Sequence, residues 1–238
     1  MNEDRLNDLI RMKEQSVAVA FPALMRKVYV WMALALTITG FTAYGVASSP
    51  GIVAALFSSR LLLIGLCIAE VALVATVSAR IQRLSLTTAT MLFVIYAFIN
   101  GLTLSAIFLV YTMSSIASVF FITAGTFTAM ALVGLFTKAD LSRMGGILYM
   151  AVIGLIIATL VNLFLHSSML NTIVSLVGVL VFTGLTAYDT QKFKHMLAMA
   201  DDMSAEGQKL ALLGALSLYL DFVNLFIYLL RFFGSSRD

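Results

Sequence analysis

The sequence predicts an all-α membrane protein, folded as a bundle of seven transmembrane helices. Of its 238 residues, 61% are hydrophobic and only 11% are charged, and the mean hydropathy is +1.01. A soluble domain carries about 25% charged residues. So much apolar surface cannot be buried in one water-facing core, so the bilayer must be the solvent. Only two prolines occur, which suits a helical bundle.

Seven segments are long and apolar enough to cross a membrane, since a spanning helix needs about 20 mostly apolar residues. They are residues 28–48, 60–79, 86–110, 115–136, 144–165, 170–193 and 209–232. Short polar breaks separate them, and the longest break covers residues 192–209. No break can hold a separate domain, so we expect one membrane domain over residues 28–234 and a short tail over 235–238.

Residues 1–27 precede the first span and carry mixed charge. Leu6, Leu9 and Ile10 follow helical spacing, which predicts an amphipathic helix lying on the membrane surface. A partner-binding segment is the alternative. No cleavable signal peptide is expected, because the first apolar run does not follow a short basic segment.

Basic residues alternate from break to break, which predicts the orientation in the membrane. Lys and Arg occur before the first span and in the second, fourth and sixth breaks, but not in the third and fifth. By the positive-inside rule the N-terminus is cytoplasmic. Seven spans then place the C-terminus outside. Arg231 and Arg237 favour a cytoplasmic C-terminus instead, which a re-entrant segment would allow.

The last span carries a polar stripe on an otherwise apolar helix. Residues three, four and seven apart share a helix face. The members of the stripe are Ser217, Asp221, Asn224, Tyr228 and Arg231. Such a stripe is expected to face the bundle interior, either as a polar path or as hydrogen-bonding contacts between helices. An acid at this depth favours a path, since Asn would serve the contact at lower cost.

A second acid, Asp189, lies near the end of the sixth span. It is either a solvated helix-end residue or a partner of Asp221. Two carboxylates a hydrogen bond apart cannot both ionise easily, so they would share one proton. The protonated pair would hold the two helices together. The deprotonated pair would repel and could attract a cation, so the closed form weakens as pH rises.

Other polar groups in the spans are weaker candidates. Glu70 lies in the middle of the second span without a charged neighbour on its own helix, so it stays protonated or meets a group on another helix. Asn100 could line a path or bond across helices. Arg80 and Arg83, at the end of the second span, either pair with Asp189 or anchor the helix at the membrane surface.

The sequence lacks the motifs of several other classes of protein. The net charge of +3 is spread along membrane edges, so no nucleic-acid partner is expected. The sequence has no zinc-ligand spacing, phosphate-binding loop or serine-nucleophile motif. We therefore expect neither an enzyme nor a cofactor. The lone Cys67 cannot form an internal disulfide.

Three segments carry a resemblance to a known family. Residues 215–234 read Ala-Leu-Ser-Leu-Tyr-Leu-Asp-Phe-Val-Asn-Leu-Phe-Ile-Tyr-Leu-Leu-Arg-Phe-Phe-Gly. They closely resemble the last helix of the transmembrane Bax inhibitor motif family, which comprises Bax inhibitor 1 and its bacterial relatives. Residues 186–191 (Thr-Ala-Tyr-Asp-Thr-Gln) resemble its sixth-helix signature, and residues 68–72 (Ile-Ala-Glu-Val-Ala) are similar to its second helix. The seven-span layout agrees.

The resemblance implies a pH-sensitive Ca²⁺ leak, in which the last helix is central and wrapped by the other six. The family's two sensor aspartates match Asp189 and Asp221, which would contact Ca²⁺ transiently. A dedicated Ca²⁺ cage needs about six to eight oxygens, more than these acids supply. A second-helix arginine latches the first aspartate in the family's closed form. That position falls on Ile81 here, so Arg80 and Arg83 on either side are the latch candidates.

Two other functions stay open beside the leak. One is a regulatory protein that interacts with a membrane-bound quality-control protease through residues 1–24. The other is a proton-coupled transporter, which only the carboxylates support. Ca²⁺, protons and the lipid bilayer are the expected partners. The compact chain has no retention tail and looks bacterial, so we expect the cytoplasmic (inner) membrane.

Overall fold

The structure is a computed structural model that describes residues 3–200 and 204–236, with the backbone alone described for residues 3–19. Helices dominate it. In chain order they are α1 (Glu3–Ala47), α2 (Pro50–Phe57), α3 (Arg60–Arg80), α4 (Leu86–Leu104), α5 (Ala106–Val110), α6 (Met113–Phe136), α7 (Ser142–Leu165), α8 (Ser168–Ala198) and α9 (Ala205–Phe233). Within the described ranges there is no β-strand, and one backbone bridge joins Tyr111 to Ser236.

Seven helical spans are long and apolar enough to cross a membrane, which confirms the predicted fold class. They are Ala20–Ala47, Arg60–Arg80, Leu86–Val110, Met113–Phe136, Ser142–Leu165, Ser168–Ala198 and Ala205–Phe233. The third span consists of α4 and α5, which meet at the buried Ser105. The last span is the most enclosed, with 67% of its most apolar stretch buried against 6% to 39% in the others. This burial agrees with the central position that the resemblance implies.

Two boundaries differ from the sequence prediction. The predicted loop over residues 192–209 is wrong, because α8 continues to Ala198 and α9 begins at Ala205. The segment is rich in Lys, Met, Leu and Ala, which favour helix. Its apolar residues Phe193 and Leu197 are buried, so packing supports the extension. Near the N-terminus, α1 runs through residue 27 without a break, so the expected surface segment is continuous in helix with the first span.

The described chain clusters into two compact units made of interleaved segments. The first comprises Met1–Thr42, Ala54–Thr103 and Phe193–Leu216. The second comprises Ala43–Val53, Leu104–Lys192 and Ser217–Asp238. Helix α9 therefore contributes its first half to one unit and its second half to the other. Hydropathy along the sequence gives no sign of this division, because it arises from which helices pack together.

The second unit has an apolar core built from α6, α7, α8 and α9. Leucines of α9, including Leu225 and Leu229, pack with Phe182 and Leu185 of α8. Earlier on α9, the Phe222 ring meets two rings of α6 edge to face, at 5.6 Å from Phe120 and 5.5 Å from Phe127 between centroids. Edge-to-face aromatic pairs add about 0.5–1.5 kcal/mol to burial. These contacts fix α8 and α9 against their neighbours.

Glycines let the helices of the second unit approach closely. A methyl group at Gly134 of α6 would collide with the backbone carbonyl of Ala187 on α8. One at Gly178 of α8 would lie 2.5 Å from the ring of Tyr228 on α9. Small residues serve this purpose in membrane helices, where close packing replaces the hydrophobic effect.

Gly134→Ala is expected to destabilise the protein by about 1–3 kcal/mol, because a backbone carbonyl cannot move aside as a side chain can. Thermal unfolding of the purified protein in detergent measures the loss as a lower midpoint temperature. Gly125→Ala is the matched control on the same helix, since nothing lies within 4 Å of the methyl group it adds. Equal midpoints for the two variants would contradict the close-contact assignment.

Candidate acid-pair site

Two aspartates of the second unit are buried, Asp189 on α8 and Asp221 on α9. Only 3% of Asp189 and 4% of Asp221 is exposed. Their helices pack against each other, and the charge of Asp189 acts on Asp221. Oδ2 of Asp221 has no hydrogen-bond partner among the residues that the structure describes. The two carboxyl groups singled out in the sequence thus form one acid pair, and Asp189 is not a solvated helix-end residue.

Asp189 has two partners that the sequence did not reveal, Tyr149 and Lys192. The Tyr149 hydroxyl, on α7, donates a hydrogen bond of 3.1 Å to Asp189 Oδ1. Lys192 lies three residues after Asp189 on the same face of α8, and its charge acts on both carboxylates. A hydroxyl donor and a nearby cation both favour an ionised carboxylate, which burial opposes.

Two aromatic rings hold the Lys192 ammonium. Its Nζ lies 5.9 Å from the ring centroid of Tyr149 and 5.9 Å from that of Tyr188. The two rings meet edge to face, with centroids 6.0 Å apart and planes at 86°. A cation over an aromatic face gains about 0.5–2 kcal/mol. The ammonium therefore has a defined position beside the acid pair.

Gln191, next to Lys192, fastens the loop between α6 and α7 to α8. Its side chain is buried. Oε1 accepts a hydrogen bond of 2.9 Å from the Leu141 amide, and Nε2 donates one of 2.8 Å to the Ala139 carbonyl. Both ends of the side-chain amide are used, as buried polar groups require. The loop is thereby tied to the helix that carries Asp189.

The polar stripe of α9 divides into parts with different surroundings. Asp221 is buried, while Ser217 and Asn224 are half-buried. The Asn224 amide donates a hydrogen bond of 2.8 Å to the Leu220 carbonyl of its own helix. Asn224 thus satisfies a donor locally, and the path-lining roles of Ser217 and Asn224 stay predictions.

The end of the stripe is a packed aromatic contact. Tyr228 stacks on Phe182 of α8, with centroids 5.7 Å apart and planes at 25°, and hydrogen-bonds Thr159 of α7. The guanidinium of the exposed Arg231 lies 5.7 Å from the Tyr228 ring centroid. Tyr228 joins three helices, which is the contact role that the sequence offered as the alternative to a path. A path-lining role for Tyr228 and Arg231 stays a prediction.

A second polar cluster lies in the first unit, around Glu70 of α3. The Thr103 hydroxyl of α4 donates a hydrogen bond of 2.7 Å to Glu70 Oε1, and the buried Asn100 also hydrogen-bonds Glu70. Glu70 therefore meets groups on another helix, one of the two outcomes that the sequence predicted. The contact explains why Asn100 and Thr103 share a face of α4.

The two latch candidates, Arg80 and Arg83, are both exposed and belong to the first unit. Asp189 belongs to the second unit, where its described partners are Tyr149 and Lys192. A latch between either arginine and Asp189 stays a prediction. The structure instead supplies Lys192 as a cation within the same unit.

Comparison with known proteins decides the family. The family model described as Inhibitor of apoptosis-promoting Bax1 matches residues 22–238, nearly the whole chain. This chain belongs to the Bax inhibitor 1 family. It is 52% identical over 214 residues to the inner membrane protein YbhL of Escherichia coli K12, which covers 90% of this chain and 92% of that protein. It is 42% identical over 229 residues to an uncharacterized protein of Deinococcus radiodurans, which covers 96% and 97% of the two chains.

The family match confirms the family that the sequence resembles, and residues 215–234, 186–191 and 68–72 all lie within the matched range. Together with the seven helical spans, it makes this member of the Bax inhibitor 1 family a multi-pass membrane protein. The segments that resemble the family's sixth and last helices carry Asp189 and Asp221, both of which are buried in the second unit. No group of three or more His, Cys, Asp or Glu side chains that could hold a metal ion occurs in the described part of the chain.

Gln191→Leu in this Bax inhibitor family member should loosen the loop between α6 and α7, because it removes both hydrogen bonds and leaves the Leu141 amide and Ala139 carbonyl without a protein partner. Each lost hydrogen bond costs about 0.5–1.5 kcal/mol of stability, since water can reach the freed groups of this loop. Limited proteolysis of reconstituted protein should cut the loop faster than in the wild type. Gln191→Glu keeps the acceptor for Leu141 and should fall between the two. Equal cleavage in all three proteins would show that Gln191 does not hold the loop.

Proposed function

We propose that this protein is a pH-sensitive Ca²⁺ leak of the bacterial cytoplasmic membrane, with Asp189 and Asp221 as the pH sensor and as a transient contact for the ion. The observation that carries the proposal is the burial of two interacting carboxyl groups inside membrane-spanning helices. Ionisable residues at such depth are costly and typically mark ion or proton pathways.

The acid pair provides a reason for pH sensitivity. Two buried carboxylates whose charges act on each other do not both ionise readily, and a proton shared between them would hold α8 and α9 together. Raising the pH removes that proton and leaves two negative charges that repel. The stability that the proton gives to the closed arrangement is present at low pH and is lost as pH rises. Ca²⁺ leak should therefore increase with pH.

The same pair suits passage of a cation better than storage. Ca²⁺ is held tightly by about six to eight oxygens, and two carboxylates with one tyrosine hydroxyl offer fewer. Conduction requires binding strong enough for entry and weak enough for exit. Asp189 and Asp221 would give Ca²⁺ a brief contact, and Glu70 with Asn100 would give a second polar position in the first unit.

Location and orientation follow from the relatives and from the charges. The Escherichia coli relative is named an inner membrane protein, which supports the cytoplasmic membrane for this chain. Lys138, in the loop between α6 and α7, and Arg143, at the start of α7, are exposed. By the positive-inside rule that loop is cytoplasmic, together with the N-terminus.

Asp189→Asn and Asp221→Asn should each abolish the pH response of the leak, because a single carboxyl group leaves no shared proton to lose. The measurement is Ca²⁺ entry into liposomes that enclose a calcium dye, at steps from about pH 6 to about pH 8, because the protons of an interacting pair leave in separate steps. The wild type should leak faster at the higher pH. Asn in either position should give a rate that no longer varies with pH.

Asp140→Asn is the matched control for these variants. Asp140 is exposed and accepts a hydrogen bond of 2.9 Å from the Ser142 amide at the start of α7. Asn accepts that bond equally well, so the control should keep the wild-type pH response. A response that persists in both acid-pair variants would refute the sensor. Absence of flux at every pH would refute the leak and would favour a regulatory role beside a membrane protease.

A further inference from the structure

Lys192 lies deeper in the protein than the other basic residues near it in the second unit. Lys138 and Arg143 are exposed, whereas Lys192 is half-buried between two tyrosine rings. Lysines at a membrane surface normally extend their ammonium groups into water. Lys192 instead keeps its ammonium beside the rings of Tyr149 and Tyr188. This position needs an explanation other than anchoring at the membrane surface.

The acid pair supplies that explanation, because the charge of Lys192 acts on both carboxylates. Each helix around the pair contributes an identified group. From α7 comes Tyr149, whose hydroxyl is already donated to Asp189. From α8 come Tyr188 and Lys192, and α6 presents the uncharged Gly134 to α8. Of these groups, only the lysine can carry a positive charge.

A binding feature is still present at the pair. Oδ2 of Asp221 is buried and has no hydrogen-bond partner among the described residues, and the same holds for Oγ1 of the buried Thr190, the residue after Asp189. The carboxylate oxygen Oδ2 of Asp221 can therefore receive a cation that enters from outside. A tethered ammonium three residues along the helix would compete with that cation for the same negative charge.

We propose that Lys192 is the resident counter-ion of the acid pair. An entering cation must compete with the Lys192 ammonium for the negative charge of Asp189 and Asp221. The inference rests on the proposed function, in which the pair contacts a permeant cation. It adds a group that limits how tightly the pair binds a cation. The lysine keeps the pair from holding divalent cations tightly, and the two tyrosine rings keep the lysine in place.

The test is cation binding, measured separately from flux. Tb³⁺, a luminescent stand-in for Ca²⁺, is titrated into the full-length protein in detergent, where nearby tyrosines sensitise its emission. Lys192→Met, which removes the charge but keeps the length, should bind Tb³⁺ about tenfold more tightly than the wild type, because one nearby repulsive charge is lost. Lys192→Gln should show the same gain, so a folding defect in one variant leaves the other to decide.

Three controls define the outcome. Lys192→Arg keeps the charge and should bind Tb³⁺ as the wild type does. Lys194→Met removes an equal charge two residues further along α8 and should also leave the affinity unchanged. Adding Asp221→Asn to Lys192→Met should cancel the gain. Wild-type affinity in Lys192→Met and Lys192→Gln, an equal gain in Lys192→Arg, or a gain that survives Asp221→Asn would each overturn the proposal.

Flux separates this inference from the leak itself. The initial rate of Ca²⁺ entry into liposomes should change in Lys192→Met and stay at the wild-type value in Lys194→Met. If Tb³⁺ affinity responds as described but no variant passes Ca²⁺, the counter-ion stands and the leak fails. If the wild type leaks with the expected pH dependence but substitutions of Lys192 change neither the Tb³⁺ affinity nor the rate of Ca²⁺ entry, the leak stands and the counter-ion role is refuted.

Discussion

The arrangement of α7, α8 and α9 depends on the cost of placing an ionised carboxylate in hydrocarbon. Insertion scales put that cost at about 2.5–3.5 kcal/mol for a single acid at the centre of a span. Two such acids, Asp189 and Asp221, can persist there only if the protein encloses them and supplies partners. It does so with a tyrosine hydroxyl from α7 and a lysine from α8.

Polar groups elsewhere in the described spans obey the same constraint. Glu70 accepts a hydrogen bond from the Thr103 hydroxyl, and the Asn224 amide donates one to a backbone carbonyl of its own helix. Close approach makes such pairings possible, because glycines such as Gly134 and Gly178 bring helices within reach of short side chains. Close helix packing and the hydrogen bonding of buried polar groups therefore depend on each other in this fold. Both require small residues opposite large or polar ones.

Much of this could be predicted from the sequence, because the bilayer imposes a simple rule of length and hydropathy. That rule identifies all seven spans to within several residues. Helix periodicity places Asp221 on a polar stripe, and the depth of Glu70 implies a partner. The partner itself does not follow, since Tyr149 lies forty residues from Asp189 and no periodicity links separate helices. Lys192 stands three residues after Asp189, so its shared face was visible, but its tyrosine surroundings were not. The charged residues between positions 192 and 209 suggest a loop, but their helix propensity and packing extend α8 to Ala198 and start α9 at Ala205.

The hydrogen bonds of Gln191 connect α8, which carries the buried acid Asp189, to a polar loop outside the apolar spans. Because Gln191 precedes Lys192 on the same rigid helix, α8 cannot shift along its axis without pulling the side-chain amide from Leu141 and Ala139. The Leu141 amide proton is therefore protected from solvent exchange only while α8 stays in its present register. A shift of α8 caused by a change at the buried acids would therefore be measured as faster hydrogen exchange of the Leu141 amide, without a probe placed in the bilayer.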